Sequence, residues 1–454
     1  MTLPAELVDR FLAAASVPLQ SHGSGTSDGA LALLAAYPAL ASATLNTAAV
    51  SGNAAHVRAL LEASADRATE MVQRREGPHG WDALTWCCFS RLLRDDRARH
   101  HDFMAVARAL LEAGASANTG FADSTHGPTP QHESVLYGAA GVAYCAPLVT
   151  LLLVHGADPN DSEVPYHAAE WYAHDVIEAL LASPIPLSRA TCATLLLRKA
   201  DWHDLHGVTQ LLAHGVDPNE CGPWPFTPFQ QALRRDNALP IIEAMLDAGA
   251  DPLAEVAGTT ALAIAAWHGR LDALQLFSER GVPLADNGLT AVAVDCTFGA
   301  VHGARARLSA RSDVRDEFMR RLPEFTARCA GNGNTAALGA LLQFAPSVDL
   351  RWTEGDAYWE IAPGSTALHV AAWRAQHSAV RLLIDAGADV HATDGSGHSP
   401  LRRAIDACTR AWWRDQRSPA SVAALLRAGA SRGGIPLPTG YDEVDRLLAP
   451  DGAT

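Results

Sequence analysis

The sequence is poor in aromatic residues and lacks long apolar runs. The first absence argues against an aromatic-rich core, and the second argues against a membrane-spanning protein. Aromatic residues make up 6% of the 454 positions, whereas apolar residues make up 48%. A core must therefore consist mainly of alanine and leucine, which suits closely packed helices. No stretch approaches the roughly 18 apolar residues of a membrane span, and the first residues lack the basic start and apolar run of a signal peptide. We expect a cytoplasmic protein with no membrane partner.

Positive charge is also scarce. The chain carries 35 Lys and Arg against 50 Asp and Glu, which gives a formal net charge of −15. Such a chain is repelled by nucleic acid unless a basic patch is concentrated somewhere, and only short arginine clusters occur. We therefore expect no nucleic-acid partner. The eight cysteines are scattered without a CxxC pair or a recurring spacing, which is typical of reduced core residues in a cytosolic protein.

Familiar catalytic signatures are missing as well. The sequence contains no GxxxxGK[ST] loop and no HExxH pair, and its GxSxG matches, GTSDG at 25–29 and GASRG at 429–433, fall in a linker and in a helix-end phrase. The densest group of potential metal ligands is DWHDLH at 201–206, where a helix would place His203 and His206 on one face. No third or fourth ligand follows at a recognised spacing. We expect no metal, no cofactor and no catalytic residues, and an enzyme is the less favoured interpretation.

Two short phrases recur along the chain. The first follows leucine-rich segments, and its glycine suits the left-handed end of a helix, while Asp-Pro-Asn forms a turn that cannot continue the helix. It appears as GADPN at 156–160, GVDPN at 215–219, GADPL at 249–253 and GADVH at 387–391, and more weakly at 114–118, 281–285 and 429–433. These copies predict a series of helix ends.

The second phrase precedes each leucine-rich segment. Its Thr or Ser suits a helix N-cap and its Pro suits the first turn, after which small residues recur at helical spacing. The copies include VPYHAAEW at 164–171, TPFQQALR at 227–234, TALAIAAW at 260–267, TALHVAAW at 366–373 and SPLRRAID at 399–406. The order of the two phrases predicts pairs of helices.

The two phrases together resemble the ankyrin repeat, and the chain as a whole resembles a bacterial ankyrin-repeat family of this length. The resemblance implies an all-α solenoid of stacked antiparallel helix pairs, with hairpin turns on one side and a concave surface. We expect about eleven or twelve units with loop insertions near 66–80, 119–133, 304–322 and 350–363. They would form a single array over 1–454, with an N-terminal cap at 1–41, central repeats at 42–430 and a C-terminal cap at 431–454.

The last position of the second phrase is a candidate for ligand contact. It holds Trp171, Trp267 and Trp373, and in ankyrin repeats generally this position faces the concave surface. Tryptophan offers a large apolar face and one polar group, and it is a common binding anchor. The alternative is that each tryptophan packs against the neighbouring repeat as core.

Charged residues also occupy inner-helix positions where the repeat usually has small ones. Arg198 and Lys199 must either face the groove or be paired, because an unpaired buried charge is very costly. His167 has the alternative role of spacing the stack, and Asp82 that of a plain N-cap. The predicted binding groove comprises His79, Trp81, Asp82, Glu133, His167, Glu170, Trp171, Tyr172, Arg198, Lys199, Asp201, His203, Arg234, Asp236, Trp267, Trp373 and Arg374.

The favoured function is that of a protein-binding scaffold, because a solenoid supplies an extended surface. The alternative is a site for a small polar ligand, or an unorthodox enzyme site, among the aromatic and ionisable residues of the groove. A purely structural role in a larger complex is the third interpretation. Fold alone does not decide between them, because sites are grafted onto folds.

Overall fold

The computed structural model describes residues 3–19, 21–125, 129–284, 288–413 and 416–449. Helices dominate, as predicted, and the chain divides into two compact units. The first unit comprises residues 1–232 and 244–250, and the second comprises 233–243 and 251–454. The expectation of one continuous array with caps at 1–41 and 431–454 therefore stays a prediction, and the weak repeat phrase at 281–285 runs into residues outside the described ranges.

Short helices follow one another through the first unit, and one β-hairpin interrupts them. The strands β1 (Gly120–Asp123) and β2 (Gln131–Ser134) pair antiparallel, with Phe121 opposite Glu133. The helices are α1 (Ala5–Ala15), α2 (Asp28–Ala36), α3 (Leu45–Val50), α4 (Ala54–Ala63), α5 (Ala68–Gln73), α6 (Ala83–Cys88), α7 (Arg91–Asp95), α8 (His100–Glu112), α9 (Val135–Tyr137), α10 (Ala146–Val154), α11 (Glu163–Ala168), α12 (His174–Leu181), α13 (Arg189–Asp201) and α14 (Leu205–Ala213).

The division between the units falls within the helix pair α15 (Pro228–Arg234) and α16 (Leu239–Asp247). The second unit continues the helical pattern with a short antiparallel pair, β3 (Arg351–Trp352) and β4 (Ser365–Thr366). Its helices are α17 (Ala261–Trp267), α18 (Leu271–Glu279), α19 (Leu289–Thr297), α20 (Val301–Ala310), α21 (Ser312–Gly331), α22 (Thr335–Leu341), α23 (Ala367–Trp373), α24 (His377–Asp385), α25 (Pro400–Thr409), α26 (Ala420–Arg427) and α27 (Asp442–Leu448).

The recurring phrases form helix starts and ends as the sequence predicts. Thr260 accepts a hydrogen bond from the backbone N–H of Ala263 at 3.0 Å and caps α17. The glycine that follows α24, Gly387, has a φ of 86°, a left-handed conformation that favours a residue without a side chain. Inner helices pack on the next inner helices, as α17 does on α19 and α23 on α25.

Polar groups satisfy one another across the boundaries between helix pairs. The side-chain amide of Asn334 donates to the carbonyl oxygens of Gly269 and Thr297, both at 3.0 Å, and its oxygen caps α22 through Ala337 N–H. His369 similarly reaches the carbonyl oxygen of Ala392 at 3.1 Å. These bonds fix the spacing of neighbouring pairs, because buried backbone carbonyls need partners.

One predicted loop insertion is wrong. Residues 304–310 lie in α20 and residues 312–322 in α21. The long helix α21 forms because Val314, Phe318, Leu322 and Phe325 recur at helical spacing and are all buried. The insertion at 119–133 is instead the β1–β2 hairpin, and that at 66–80 begins with α5.

Aromatic clusters fill part of each core. In the first unit Trp81 lies 4.6 Å from Phe121 and 4.8 Å from Trp86, measured between ring centroids. In the second unit Trp373 packs edge-on against Trp413 at 5.1 Å, and its indole N–H donates to the carbonyl oxygen of Trp359 at 2.5 Å. None of the helices within the described ranges is long and apolar enough to cross a bilayer.

The burial of Trp373 predicts a large loss of stability on truncation. Trp373→Ala should lower the free energy of unfolding by about 3–5 kcal/mol, because it removes a fully buried ring and leaves a cavity. Trp412→Ala is the matched control in the same aromatic cluster, since that ring is 56% exposed, and it should cost about 1 kcal/mol or less. Urea denaturation followed by circular dichroism measures both, and equal losses would contradict the packing described.

Candidate binding surface

A line of alternating charges runs between the neighbouring helices α11 and α13 of the first unit. The ring of His167 in α11 lies 2.9 Å from a carboxylate oxygen of Glu170 and 3.3 Å from one of Glu163. Arg198 in α13 then donates to Glu170 at 2.6 Å and to Asp201 at 2.7 Å. Together with Glu133 of β2, these residues form what we call the polar row: Glu133, Glu163, His167, Glu170, Arg198 and Asp201.

Local structure places the polar row on these helices. Asp161 accepts the backbone N–H groups of Glu163 and Val164 at 3.0 and 2.7 Å and so fixes the start of α11. Ser188 caps α13 through Thr191 N–H at 3.0 Å. Arg198 lies in the last turn of α13, where the helix dipole favours a cation.

Arg198 is held by more than its two carboxylates. Its guanidinium lies 4.0 Å from the centroid of the Tyr166 ring. Asp201, its partner on the same helix, also accepts a hydrogen bond from the side-chain amide of Gln231 at 2.5 Å. The row thereby links α11, α13 and α15 through side chains of the first unit.

The surroundings raise the pKa of two groups in the polar row, so that His167 stays charged and Glu133 resists ionisation. Hydrogen bonds to Glu163 and Glu170 outweigh burial and raise the pKa of His167 to about 9. Burial, then the negative charge of Glu163, raises the pKa of Glu133 to about 7. Among the described residues, no group lies within hydrogen-bonding distance of Glu133 Oε2. Glu133 is therefore a buried carboxyl whose charge depends on what approaches it.

Two exposed aromatic side chains directly follow Glu170 of the polar row in the sequence. Trp171 is 53% exposed and Tyr172 is 56% exposed. The Trp171 ring lies 6.3 Å from that of Tyr144, and the Tyr172 hydroxyl donates to the carbonyl oxygen of Trp202 at 3.0 Å. Large exposed aromatics beside a polar cluster are typical of binding surfaces.

Several predicted groove residues lie elsewhere in the first unit. The expectation that Lys199 faces a groove is wrong, because its side chain is fully buried and its ammonium donates to Asp204 at 2.9 Å and to Trp171 O at 2.8 Å. Trp81 is core, and the His79 ring is tilted against it with the ring centroids 4.8 Å apart. Asp82 is an N-cap, because it accepts from Thr85 N–H at 2.9 Å.

The segment around His203 is a turn, so the helix that would place His203 and His206 on one face does not form. α13 ends at Asp201, and His203 has a φ of 51°. Asp204 then caps α14 by accepting from Gly207 N–H at 2.9 Å. His203 and His206 therefore do not share a helix face. Within the described residues, no three His, Cys, Asp or Glu side chains converge so as to hold a metal ion.

The remaining predicted residues belong to the second unit, where two of the three aligned tryptophans are buried. Trp267 is 7% exposed and packs 4.7 Å from Phe325, and Trp373 is 2% exposed. Their predicted exposure to a groove is wrong, because α21 and the segment around Trp359 cover them. Arg374 lies 3.6 Å from the Trp359 ring centroid.

Arg374 and Asp236 form a buried pair at 3.1 Å, and His268 lies 3.5 Å from the same carboxylate. The neighbouring His268 imidazole and the charge of Arg374 hold the pKa of Asp236 far below its usual value despite burial. Arg234, at the end of α15, is exposed. Asp236 and Arg374 are thus internal to the second unit.

Sequence reasoning missed some members of the polar row and its surroundings. Glu163 precedes His167 by four residues, a helical spacing that brings the two side chains together, so the pair was detectable. Tyr166 and Gln231 carry no such signal, because their contacts with Arg198 and Asp201 cross from one helix to another.

The comparison with protein-family models agrees with the repeat pattern. Residues 363–395 match the family model described as Ankyrin repeat, which confirms the repeat predicted from TALHVAAW and GADVH. Among solved structures the chain is similar to the human ASB11 ankyrin repeat domain. The identity is 23%, over 48% of this chain and 89% of that one, with a TM-score of 0.37. No curated protein matches the sequence.

The raised pKa of His167 predicts a specific pH dependence. The pKa is about 9 in the folded chain and 6.5 without its partners, so the stabilisation is complete below about pH 6.5 and is lost as the pH rises through 9. The wild type should exceed His167→Gln in free energy of unfolding by on the order of 2 kcal/mol at pH 6, because two carboxylates lose their cation. Denaturation of both proteins should show this difference shrinking toward pH 9.5. A difference that stays constant would mean that His167 is neutral in the folded chain.

Proposed function

We propose that the protein is a binding scaffold, and that the polar row with Trp171 and Tyr172 forms its contact surface for a protein partner. The repeat at 363–395 supports the general class, since ankyrin repeats are generally protein-interaction modules. The exposure of Trp171 supports the location, because the equivalent Trp267 and Trp373 are buried. The last position of the second phrase is therefore core at Trp267 and Trp373 but exposed at Trp171.

The charges of the row favour a partner segment with a basic residue next to an apolar one. Three carboxylates, those of Glu163, Glu170 and Asp201, face two cations, His167 and Arg198. Glu133 adds a further carboxyl that an approaching cation would help to ionise. A lysine or arginine side chain would pair with the carboxyl of Glu133, and an apolar neighbour would cover Trp171.

The scaffold would work in a reducing compartment. All eight cysteines are outside disulfides, and most of their thiols are buried. This agrees with the cytoplasmic setting that the composition favours.

A displayed library of random peptides, half with a fixed central lysine and half with a fixed central glutamate, tests the proposal. Lysine-centred peptides should be enriched on the full-length protein. Their affinity, measured by calorimetry, should fall by about 2 kcal/mol, roughly thirtyfold, in Trp171→Ala if the ring is an anchor. The thermal stability of Trp171→Ala should stay within about 1 kcal/mol of the wild type, because the ring is exposed.

Tyr37→Ala is the matched control, since Tyr37 is another exposed aromatic of the first unit, 45% exposed, and is absent from the proposed surface. It should leave peptide affinity unchanged. Arg198→Ala is unsuitable as a probe, because it removes the cation shared by two largely buried carboxylates and should destabilise the fold. Enrichment of glutamate-centred peptides, or equal affinity for wild type and Trp171→Ala, would refute the proposal.

A further inference from the structure

Four carboxyl groups lie near one another where the β1–β2 hairpin packs on α11. Glu133 lies on β2 opposite Phe121, and β2 contacts α11. The charges of Glu163 on α11, Asp123 on β1 and Asp161 just before α11 all act on Glu133. We call these residues the carboxyl cluster: Asp123, Glu133, Asp161 and Glu163. Neighbouring like charges oppose one another's ionisation, so the donors that each carboxyl receives decide which member holds a proton.

The two aspartates of the carboxyl cluster receive several hydrogen bonds each. Asp161 accepts the hydroxyl of Ser134 at 2.5 Å and two backbone N–H groups at the start of α11 at 3.0 and 2.7 Å. Asp123 accepts the backbone N–H and the hydroxyl of Thr125 at 2.9 and 2.7 Å. Hydrogen bonds of this kind favour the ionised form of a carboxyl.

Glu133 lacks such support. The residue is 2% exposed, and no group among the described residues lies within hydrogen-bonding distance of its Oε2 atom. The His167 ring, whose charge acts on Glu133, is 3.3 Å from Glu163. The hydroxyl of Tyr137 on α9 is 2.8 Å from His22 Nδ1. Burial, then the charge of Glu163, raises the pKa of Glu133 to about 7, so about half of the molecules hold a proton there at neutral pH.

The carboxyl cluster lies just beneath the surface of the polar row. The side chains of His167 and Glu163 are 27% and 13% exposed, and His132, next to Glu133 on β2, is exposed. A ligand therefore reaches Glu133 by displacing surface side chains rather than core. The described part of the chain holds no group of three metal-ligating side chains. An ammonium group fits instead, because it carries three N–H donors and needs no fixed coordination geometry.

We propose that the carboxyl cluster binds one ammonium group in exchange for the proton of Glu133, so that binding tightens as the pH rises from about 6 to about 8. In the exchange, R–NH₃⁺ and the protonated carboxyl give an ammonium–carboxylate pair, and one proton leaves to solvent. The proposal rests on the contact surface proposed above, since the ammonium group would be that of a lysine in the partner. His167 keeps its charge over this range, because its pKa is about 9.

Infrared spectroscopy of the full chain tests the exchange directly, because a protonated carboxyl absorbs apart from a carboxylate. The difference spectrum between the wild type and Glu133→Gln isolates the carboxyl of Glu133, and its acid band should be lost with a midpoint of about pH 7. Saturating N-acetyl-lysine amide should lower this midpoint by about one pH unit, a tenfold preference for the ionised form. N-acetyl-norleucine amide, which lacks the ammonium group, should leave the midpoint unchanged.

Two glutamate variants control the assignment. Glu133→Gln resembles the protonated acid in shape and should fold as the wild type does, which thermal unfolding verifies. Glu62→Gln makes the same change on an exposed side chain of α4. The band that titrates near pH 7 should persist in Glu62→Gln.

The affinity for a lysine-centred peptide from the displayed library gives a second readout. The wild type should bind it about fivefold more tightly at pH 8 than at pH 6, because the ionised fraction of Glu133 rises across this range. Glu133→Gln should bind with the same affinity at both pH values. Calorimetry in buffers of different ionisation enthalpy should show the wild type releasing about 0.4 proton per peptide at pH 7, and Glu133→Gln none.

The exchange is refuted if the difference spectrum shows no acid band that titrates near pH 7, or if the two amides shift its midpoint equally. Lysine-centred peptides that bind equally well at pH 6 and pH 8 would also refute it, while leaving the contact surface intact. A library without lysine enrichment would instead refute the contact surface. In that case a midpoint lowered by N-acetyl-lysine amide alone would still support the exchange at Glu133.

Discussion

The arrangement of this protein depends on one constraint: a short helix pair can bury its apolar face only against the neighbouring pair. The inner helices meet through small residues, and polar side chains such as Asn334 satisfy carbonyl groups across the boundary between pairs. A charged residue placed on an inner helix must find a partner on the next helix or remain at the surface, because an unpaired buried charge is too costly.

The polar row of the first unit follows from this constraint. Glu170, which follows α11, and Asp201, at the end of α13, both bind Arg198, and His167 stays protonated because two carboxylates flank it. The charges therefore fix one another, while one oxygen of Glu133 has no hydrogen-bond partner among the described residues. A surface organised in this way presents a set pattern of charge beside Trp171, as recognition of a partner requires.

The repeated helix pairs were predictable from the sequence, because capping residues, glycine helix ends and helical spacing are local signals. The exposure of individual side chains was less predictable from the sequence. The three aligned tryptophans share a register, yet Trp373 is buried by rings far away in the sequence and Trp267 by the long helix α21. Lys199 likewise finds Asp204 and a backbone carbonyl where a groove was expected. Such outcomes depend on which segments come to cover a position.

The central claim, that a partner covers the surface beside the polar row, is tested most directly by oxidative footprinting with mass spectrometry. The full-length protein is labelled in two samples, one without peptide and one saturated with the best lysine-centred peptide. Trp171 and Tyr172 should be reactive in the unbound protein and protected in the complex. Tyr37, which is similarly exposed, should keep its reactivity in both. Protection of Tyr37, or of second-unit residues alone, with Trp171 and Tyr172 equally reactive in the bound state, would contradict the account.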